Sequence, residues 1–542
     1  MPRTHFAAFV AAGSHPAATL SERIHPGGAT RYPRAAMRLI RYALPLLALA
    51  VPAVATAQVL PHAPVVDHLP NGLTVVTLPF DAPGIAAYYT LVRTGARDEI
   101  ERGHSGFAHL FEHMMFRGTE RYSATEYEHQ MQALGADNNA YTTEDFTLYT
   151  ITLPARSLPN LVPIEADRFQ HLSYAEQVFQ TETRAVLGEY NKNAANPLQQ
   201  MWESLSEITF ARHTYGHTTI GYLRDIEAMP REYRYSQNFF RRFYTPDNAT
   251  VIVAGDVQHD AVLQLVQQSY ASWRGHRAQP RIPAEPDQTA ARSRVLAWAG
   301  TSPPRLLVGY RIPGFDVNSN DTAALEVVHA LAFSESSDLY QRLVVREQKL
   351  LSLESWHGDF HRDPQLFVVE AKLAEGTPFD QIEQAVNEEL ARIGRGEYAR
   401  DRIEAVISHL RYELPMEMQT PSDAANSLAR FMALTGDVGT LERWGERLRA
   451  VTPDDVARVA RTYLLAARSN TVRLTDNAHA PPGAIRIGPA PRGVASSASP
   501  APSGAPTGAP APSSNAPALP AGSSASPAPA RGRNRVRGNA GH

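Results

Sequence analysis

The most informative segment of the chain reads Ser105-Gly-Phe-Ala-His-Leu-Phe-Glu-His-Met-Met-Phe-Arg-Gly118. Its apolar residues recur at spacings of three and four, which is the period of one helix face. This apolar stripe consists of Phe107, Leu110, Phe111, Met114 and Met115. The segment therefore predicts an amphipathic helix, with Ser105 as its N-terminal cap and Gly118 at its C-terminal end.

The polar side of this helix carries His109, Glu112 and His113. Two imidazoles one helical turn apart can reach the same metal ion, and Glu112 can contact a water on that metal without ligating it. The order His-x-x-Glu-His is the reverse of the common zincin order and is typical of inverzincins. Chance is the alternative explanation, and catalytic zinc also requires a third protein ligand.

Candidates for the third ligand lie in Thr181-Glu-Thr-Arg-Ala-Val-Leu-Gly-Glu-Tyr190. Glu182 and Glu189 are seven positions apart, which places both on one face of a helix. Taken alone, such a pair is more typical of a solvated helix face than of a functional site. What makes them candidates is that Glu189 follows His113 by about 76 residues, a spacing that resembles a known metallopeptidase family.

The combined motifs resemble the pitrilysin/insulinase family of zinc metallopeptidases, in particular its short-subunit branch, which includes mitochondrial processing peptidase. Residues 137–149, Asp137-Asn-Asn-Ala-Tyr-Thr-Thr-Glu-Asp-Phe-Thr-Leu-Tyr, look like the Asn-Ala-x-Thr segment of that family. Residues 215–221 and 243–248 also look like family signatures. The similarity spans about residues 65–480.

The resemblance implies one zinc ion per chain, held by His109, His113 and Glu189. It implies that Glu112 is the general base and that Glu182 is a further acid that orients a ligand histidine. The expected activity is that of a zinc-dependent endopeptidase. Its substrates are peptides or unfolded segments, cut by a zinc-activated water with the help of Glu112.

Asn139, Ala140 and Tyr141 match the edge strand on which this family holds an extended peptide by main-chain pairing. The resemblance therefore implies that they bind substrate. The alternative is that they are ordinary strand residues.

The chain departs from the family in its second half. Members carry an Arg and a Tyr, seven apart, that support the substrate carbonyl; ungapped alignment puts Val344 and Leu351 at these positions. A shift by two restores an arginine, Arg346, but places Leu353 at the tyrosine. The expected partner is therefore a related, zinc-less subunit that supplies the pair; a homodimer is the alternative.

An internal duplication organises the folded part. Residues 65–110 and 296–330 open alike, with a strand-like run (87–93 and 306–311), a glycine, a polar loop and a helix. Both copies also close with a helix, a turn and a strand. We expect an α+β fold with two duplicated domains, each a mixed or antiparallel sheet packed with helices, that form half of a clam-shell chamber. The predicted boundaries are 58–275, a linker 276–292, and 293–488.

The two ends differ from this folded part. Residues 37–57 have the basic start, apolar core and Ala-x-Ala site of a signal peptide, which predicts export to the periplasm. A buried helix or a membrane span is the alternative, but the apolar run is short for a span and contains prolines. Residues 1–36 are interpreted as a mis-called start or disorder. Residues 489–542 are rich in Ala, Pro and Ser and are predicted to be disordered.

Composition excludes several classes of protein. The chain has no cysteine, so a disulfide scaffold, a thiolate metal site and a cysteine nucleophile are ruled out. Its net charge of −3 argues against binding nucleic acid. Two other functions remain open: a catalytically silent family member that acts as a scaffold, and a metal-storing or metal-sensing protein. The intact Glu112 argues against the first, and the lack of further His- or acid-rich tracts argues against the second.

Overall fold

The structure, a computed structural model, describes residues 59–60, 62–357 and 360–488. These residues lie in one compact unit. Within them, no helix is both long and apolar enough to cross a membrane. The predicted signal peptide (37–57), the segment before it (1–36) and the tail (489–542) lie outside the described residues.

The first sheet is mixed and has six strands in the described part of the chain. Its strands are β1 (Val65–His68), β2 (Thr74–Pro79), β3 (Ile85–Val92), β4 (Asp137–Thr142), β5 (Thr147–Pro154) and β6 (Ala249–Gly255). They lie in the order β1-β2-β6-β3-β5-β4, with only β2 and β6 parallel, so β4 is an edge strand. The central strand β3 is buried on both faces from Ala86 to Val92, which explains why its sequence has no polar alternation.

The second sheet repeats this arrangement. Its strands are β7 (Arg292–Trp298), β8 (Arg305–Ile312), β9 (Leu350–Trp356), β10 (Gln365–Leu373), β11 (Ser469–Asp476) and β12 (Ile485–Ile487). They lie in the order β12-β7-β11-β8-β10-β9. The run β7-β11-β8-β10-β9 corresponds strand by strand to β2-β6-β3-β5-β4, and again the first pair is parallel. The predicted α+β class with two duplicated, sheet-based domains is confirmed.

Helices cover both sheets. Those in the first half are α1 (Phe107–Met114), α2 (Ala124–Leu134), α3 (Leu158–Gln170), α4 (Glu176–Asn193), α5 (Pro197–Thr209), α6 (Leu223–Ala228), α7 (Tyr233–Phe243) and α8 (His259–Tyr270). Those in the second half are α9 (Asp321–Phe333), α10 (Asp338–Tyr340), α11 (Phe379–Gly394), α12 (Arg400–Met416), α13 (Pro421–Thr435), α14 (Thr440–Ala450) and α15 (Pro453–Tyr463). A π-helical turn, Gln341–Arg346, continues α10.

The two halves exchange a helix. Helix α5 follows the strands of the first half but packs on β7 and β11 of the second sheet. Helix α13, in turn, packs on β3 and β6 of the first sheet, and the Ser422 and Thr152 hydroxyls lie 2.8 Å apart at this contact. Each half therefore depends on the other to cover one face of its sheet. The boundaries 58–275 and 293–488 stay a prediction.

This exchange predicts that core truncations on the exchanged helices destabilise the whole folded unit. Leu205 on α5 and Leu428 on α13 are fully buried. We expect Leu205→Ala and Leu428→Ala each to lower the free energy of unfolding by about 2–5 kcal/mol. Urea denaturation of the purified chain checks this, with the half-exposed Leu351→Ala as the control. A small effect at either buried position would contradict the shared core.

Candidate metal centre

Helix α1 begins differently from the sequence prediction. Ser105 does not cap it, because its hydroxyl donates instead to the Asp225 carboxylate at 2.6 Å. The cap position is Gly106, with a left-handed φ of 90°. A Cβ at Gly106 would lie 2.4 Å from the carbonyl oxygen of Ile220, so only glycine fits this approach. The prediction for the other end is also wrong: the helix ends at Met114, before Gly118.

The buried carboxylate of Glu99 performs the capping. It accepts the backbone N–H groups of Gly106 at 2.7 Å and Ala108 at 2.6 Å. Burial raises the pKa of Glu99 to about 8, although these N–H groups oppose the rise. Nothing in the sequence pattern marks Glu99, because it lies outside the usual capping positions. It anchors the N-terminus of the helix that carries the two histidines.

His109, His113 and Glu189 come together between α1 and α4. The Nε2 atoms of His109 and His113 lie 3.7 Å and 3.5 Å from Oε2 of Glu189. The potential ligand atoms of all three residues lie within 4.8 Å of one another. Ligands of a tetrahedral zinc ion, at about 2.1 Å from the metal, lie roughly 3.4 Å apart. Both the donor types and the spacing therefore fit a zinc ion.

Electrostatics distinguish the two histidines. Burial lowers the pKa of His113, but the carboxylates of Glu182 and Glu189, at 3.8 Å and 3.5 Å from its two ring nitrogens, together with the charge of Glu112, outweigh burial and raise it to about 9. Burial dominates at His109 and lowers its pKa. The surrounding carboxylates make the pocket favourable for a positive charge.

Glu182 lies on the far side of His113 from Glu189. Its Oε2 is 3.8 Å from Nδ1 of His113, and its Oε1 is 2.9 Å from Nε of Arg117. Glu182 thus contacts the ring nitrogen that faces away from the cluster, where a ligand-orienting acid is expected. Arg117, which no sequence motif marks, holds this acid in turn.

Glu112 lies beside the cluster and does not belong to it. Its side chain is only 7% exposed, and its Oε2 accepts a hydrogen bond from the Thr142 hydroxyl at 2.7 Å. Thr142 was not among the predicted site residues, although it occupies the threonine of the Asn-Ala-x-Thr segment. The arrangement leaves a carboxylate next to the potential ligands, as a general base requires.

The predicted substrate-binding residues lie on β4, the edge strand of the first sheet. Ala140 is buried, and its N–H donates to Oδ1 of Asn139 at 2.9 Å. The Tyr141 hydroxyl reaches across to Asn426 on α13 at 2.6 Å. An edge strand next to the cluster is a place where an extended peptide can add a further strand.

The two positions where the family carries its Arg/Tyr pair lie in the second half of the chain, on the π-helical turn and on β9. Val344 belongs to the π-helical turn, and Leu351 lies on the edge strand β9 with 54% of its surface exposed. Neither side chain can donate a hydrogen bond to a substrate carbonyl.

The turn after β4 is tied to the second half of the chain. The buried carboxylate of Asp145 accepts hydrogen bonds from the Tyr215 hydroxyl at 2.9 Å and the Arg362 backbone N–H at 3.1 Å. Nδ1 of His361 also lies 3.0 Å from this carboxylate. Burial lowers the pKa of His361, but Asp145 and neighbouring acids raise it above its ordinary value. Burial raises the pKa of Asp145, but His361 and the other donors bring it below its ordinary value.

These shifts predict a pH-dependent contribution to stability. The contribution of His361 is complete below about pH 6.5, the pKa of an unfolded histidine, and is lost as pH rises through the raised pKa. That of Asp145 is present above about pH 3.9 and is lost as pH falls through the lowered pKa. We expect His361→Gln to cost more unfolding free energy at about pH 5.5 than at about pH 9. Urea titrations check this, with the exposed His409→Gln as the control. Equal losses of unfolding free energy at both pH values would contradict a charged interaction between His361 and Asp145.

Comparison with known families gives two matches. Residues 84–222 match the family described as insulinase (peptidase family M16). Residues 235–410 match the domain described as peptidase M16 inactive domain. The first range contains the complete cluster of His109, His113 and Glu189.

Individual proteins are similar over most of the folded part. The zinc protease PqqE of Helicobacter pylori is 26% identical over 412 residues, which cover 75% of this chain and 91% of that protein. The probable mitochondrial-processing peptidase subunit beta of Arabidopsis thaliana is 24% identical over 423 residues, covering 74% of this chain and 76% of that protein. A crystal structure of a protease from Helicobacter pylori matches with a TM-score of 0.72 at 24% identity and covers 76% of this chain and 99% of that one. At this identity, the structural match establishes the shared fold.

Proposed function

The chain belongs to the insulinase family, peptidase family M16, and from this membership we propose that it is a zinc-dependent endopeptidase of peptides or unfolded segments. The observation that carries the proposal is the convergence of His109, His113 and Glu189 beside the carboxylate of Glu112. These are the donor set and the base that a peptidase of this kind requires.

In the proposed reaction, His109, His113 and Glu189 hold one zinc ion per chain. When bound there, zinc would supply Lewis-acid chemistry: it would lower the pKa of a water to about 7 and polarise the scissile carbonyl. Glu112 takes the proton of the attacking water and passes it to the leaving amide nitrogen. Glu182 keeps His113 oriented by its contact with Nδ1.

The substrate is held on β4. Main-chain pairing along Asn139, Ala140 and Tyr141 requires an extended peptide, which favours peptides and unfolded segments over folded proteins. Such pairing does not depend on the substrate's side chains, so it positions many sequences alike.

We propose that the active form contains a second subunit. Val344 and Leu351 cannot support the substrate carbonyl, whereas a related, zinc-less subunit with an Arg/Tyr pair can do so from the opposite wall of a clam-shell chamber. A homodimer is the alternative. Residues 37–57, as a signal peptide, would place this assembly in the periplasm.

A second candidate function is that of a catalytically silent scaffold subunit. It is favoured by the missing Arg/Tyr pair and by the match of residues 235–410 to a domain described as inactive. The retained Glu112 favours the peptidase, because a silent subunit has no use for the base.

The test uses the chain from Gln58, purified and loaded with zinc. Zinc content is measured by elemental analysis, and cleavage by hydrolysis of an internally quenched peptide, alone and after mixing with a zinc-less paralogue. We expect about one zinc per chain and cleavage that rises strongly on mixing. Full activity of the chain alone would contradict the split site, and zinc without cleavage in both conditions would favour the scaffold.

A further inference from the structure

We propose that Thr142 is a positioning residue that holds the Glu112 carboxylate in the orientation needed to accept a proton. This inference rests on the proposed peptidase function. The Thr142 hydroxyl donates to Oε2 of Glu112 at 2.7 Å. Both side chains are buried, with relative exposures of 4% and 7%, so water does not compete freely for this hydrogen bond.

No other described residue donates a hydrogen bond to the Glu112 carboxylate. Tyr149 and Tyr244 lie close enough for the charge of Glu112 to raise their pKa values further, beyond the larger effect of burial. Their hydroxyls are engaged elsewhere, however. They lie 2.7 Å from each other, and that of Tyr149 also donates to the carbonyl of Phe111 at 3.2 Å. The orientation of the base therefore depends on Thr142.

The geometry divides the work between the two carboxylate oxygens. Oε2 of Glu112 accepts the hydroxyl of Thr142. Oε1, which accepts no side-chain hydrogen bond from the described residues, is the oxygen assigned to take the proton. Threonine is suited to this task, because its branched Cβ restricts χ1 and so fixes the direction of the hydroxyl. A short, buried hydrogen bond to a charged acceptor is also stronger than one between neutral groups.

Thr142 is the last residue of β4, the strand expected to hold the peptide. The orientation of the base and the position of the bound peptide are therefore both set by strand β4. A displacement of that strand moves both together and keeps the proton acceptor in register with the bond to be cut. This coupling is a structural means of keeping the reacting groups within the close tolerance that catalysis requires.

The end of β4 is itself fixed. The backbone N–H groups of Ala96 and Arg97 donate to the carbonyls of Thr143 and Glu144, at 3.3 Å and 2.7 Å. A Cβ at Gly95 would lie 2.4 Å from the Thr143 carbonyl, so this approach requires glycine. The Asp145 carboxylate, through its contacts with the His361 ring and the Arg362 backbone N–H, then fixes the turn to the second half of the chain.

The test is Thr142→Val, which keeps the shape and the branched Cβ but removes the donor. We expect kcat to fall about 10- to 100-fold, with KM and zinc content unchanged. Thr142→Ser, which restores the hydroxyl, should recover most of kcat. Thr77→Val is the matched control, because Thr77 is fully buried in β2 and its hydroxyl has no hydrogen-bond partner in the described structure.

Crystal structures of the zinc-loaded wild type and Thr142→Val give a readout that does not depend on activity. We expect one conformer of the Glu112 carboxylate in the wild type, and a rotated or split conformer in the valine variant. The inference is overturned if the carboxylate keeps its orientation in Thr142→Val, if kcat is unchanged, or if Thr142→Ser is as impaired as the valine variant. A wild type that cleaves no peptide overturns the proposed function, and the crystal structures still decide the role of Thr142.

Discussion

Replacing Glu112 with Gln is expected to abolish peptide hydrolysis while leaving zinc bound. Gln has nearly the same shape and can still accept from Thr142, but its amide cannot take a proton from water. General-base catalysis contributes typically about 10²- to 10⁴-fold, so the rate with a quenched peptide should fall by at least that range. Because Glu112 lies outside the ligand cluster, elemental analysis should still find about one zinc per chain.

The matched control is Glu128→Gln. Glu128 lies exposed on α2, so the same change of charge is made on the same half of the chain but away from the cluster. We expect it to keep wild-type activity and zinc. A Glu112→Gln variant with substantial hydrolysis would show that another group acts as the base, and one that loses zinc would show that Glu112 supports the metal directly.

Replacing Glu189 with Ala is expected to remove the metal. This change deletes the carboxylate oxygen that lies 3.7 Å and 3.5 Å from the two imidazole nitrogens. Two histidines alone do not complete the three-ligand set of a catalytic zinc site. After dialysis, the variant should retain close to no zinc, and added zinc should raise Tm in the wild type but not in the variant.

Glu182→Gln is the control that distinguishes the loss of a metal ligand from the loss of a residue that orients a ligand. Glu182 contacts His113 at the nitrogen away from the cluster, so its loss should weaken zinc binding only about 10- to 100-fold. Competition with a chelator of known affinity measures both variants. If Glu182→Gln lost zinc as completely as Glu189→Ala, or if Glu189→Ala bound it like the wild type, the assignment of ligand and support would be wrong.

What could be predicted from the sequence depends on whether the signal is local. The spacing of His109 and His113 on one helix is a local pattern, and the structure places both rings on the side of α1 that faces Glu189 of α4. The duplication of a sheet-based half followed from the similar openings and closings, but the order of the strands within each sheet did not. Glu99 accepts from backbone groups seven and nine residues away, and Thr142 donates to a carboxylate 30 residues away, so no helix or strand periodicity could reveal them. The expected cap at Ser105 failed because Asp225, distant in sequence, binds that hydroxyl.

The exchanged helices illustrate the same limit. The sequence of α5 or α13 shows an apolar face, but it does not say which sheet that face covers. Along the chain, α5 belongs to the first half and α13 to the second. In space, each helix packs on the sheet of the other half. Only the three-dimensional arrangement resolves this ambiguity, since period and composition are the same for either partner.

This exchange has a consequence for biosynthesis. The last strand of the first sheet, β6, ends at Gly255, but the helix that covers one of its faces is not complete until Thr435. During synthesis, the apolar sheet surface on which α13 packs therefore stays uncovered while the next 180 or so residues are added, at roughly 5–20 residues per second. A chain arrested anywhere in that interval exposes an incomplete core and is prone to aggregate. Folding of this protein is accordingly tied to completion of nearly the whole polypeptide. Chaperones that shield nascent apolar surface should affect the yield of folded protein more than its final stability.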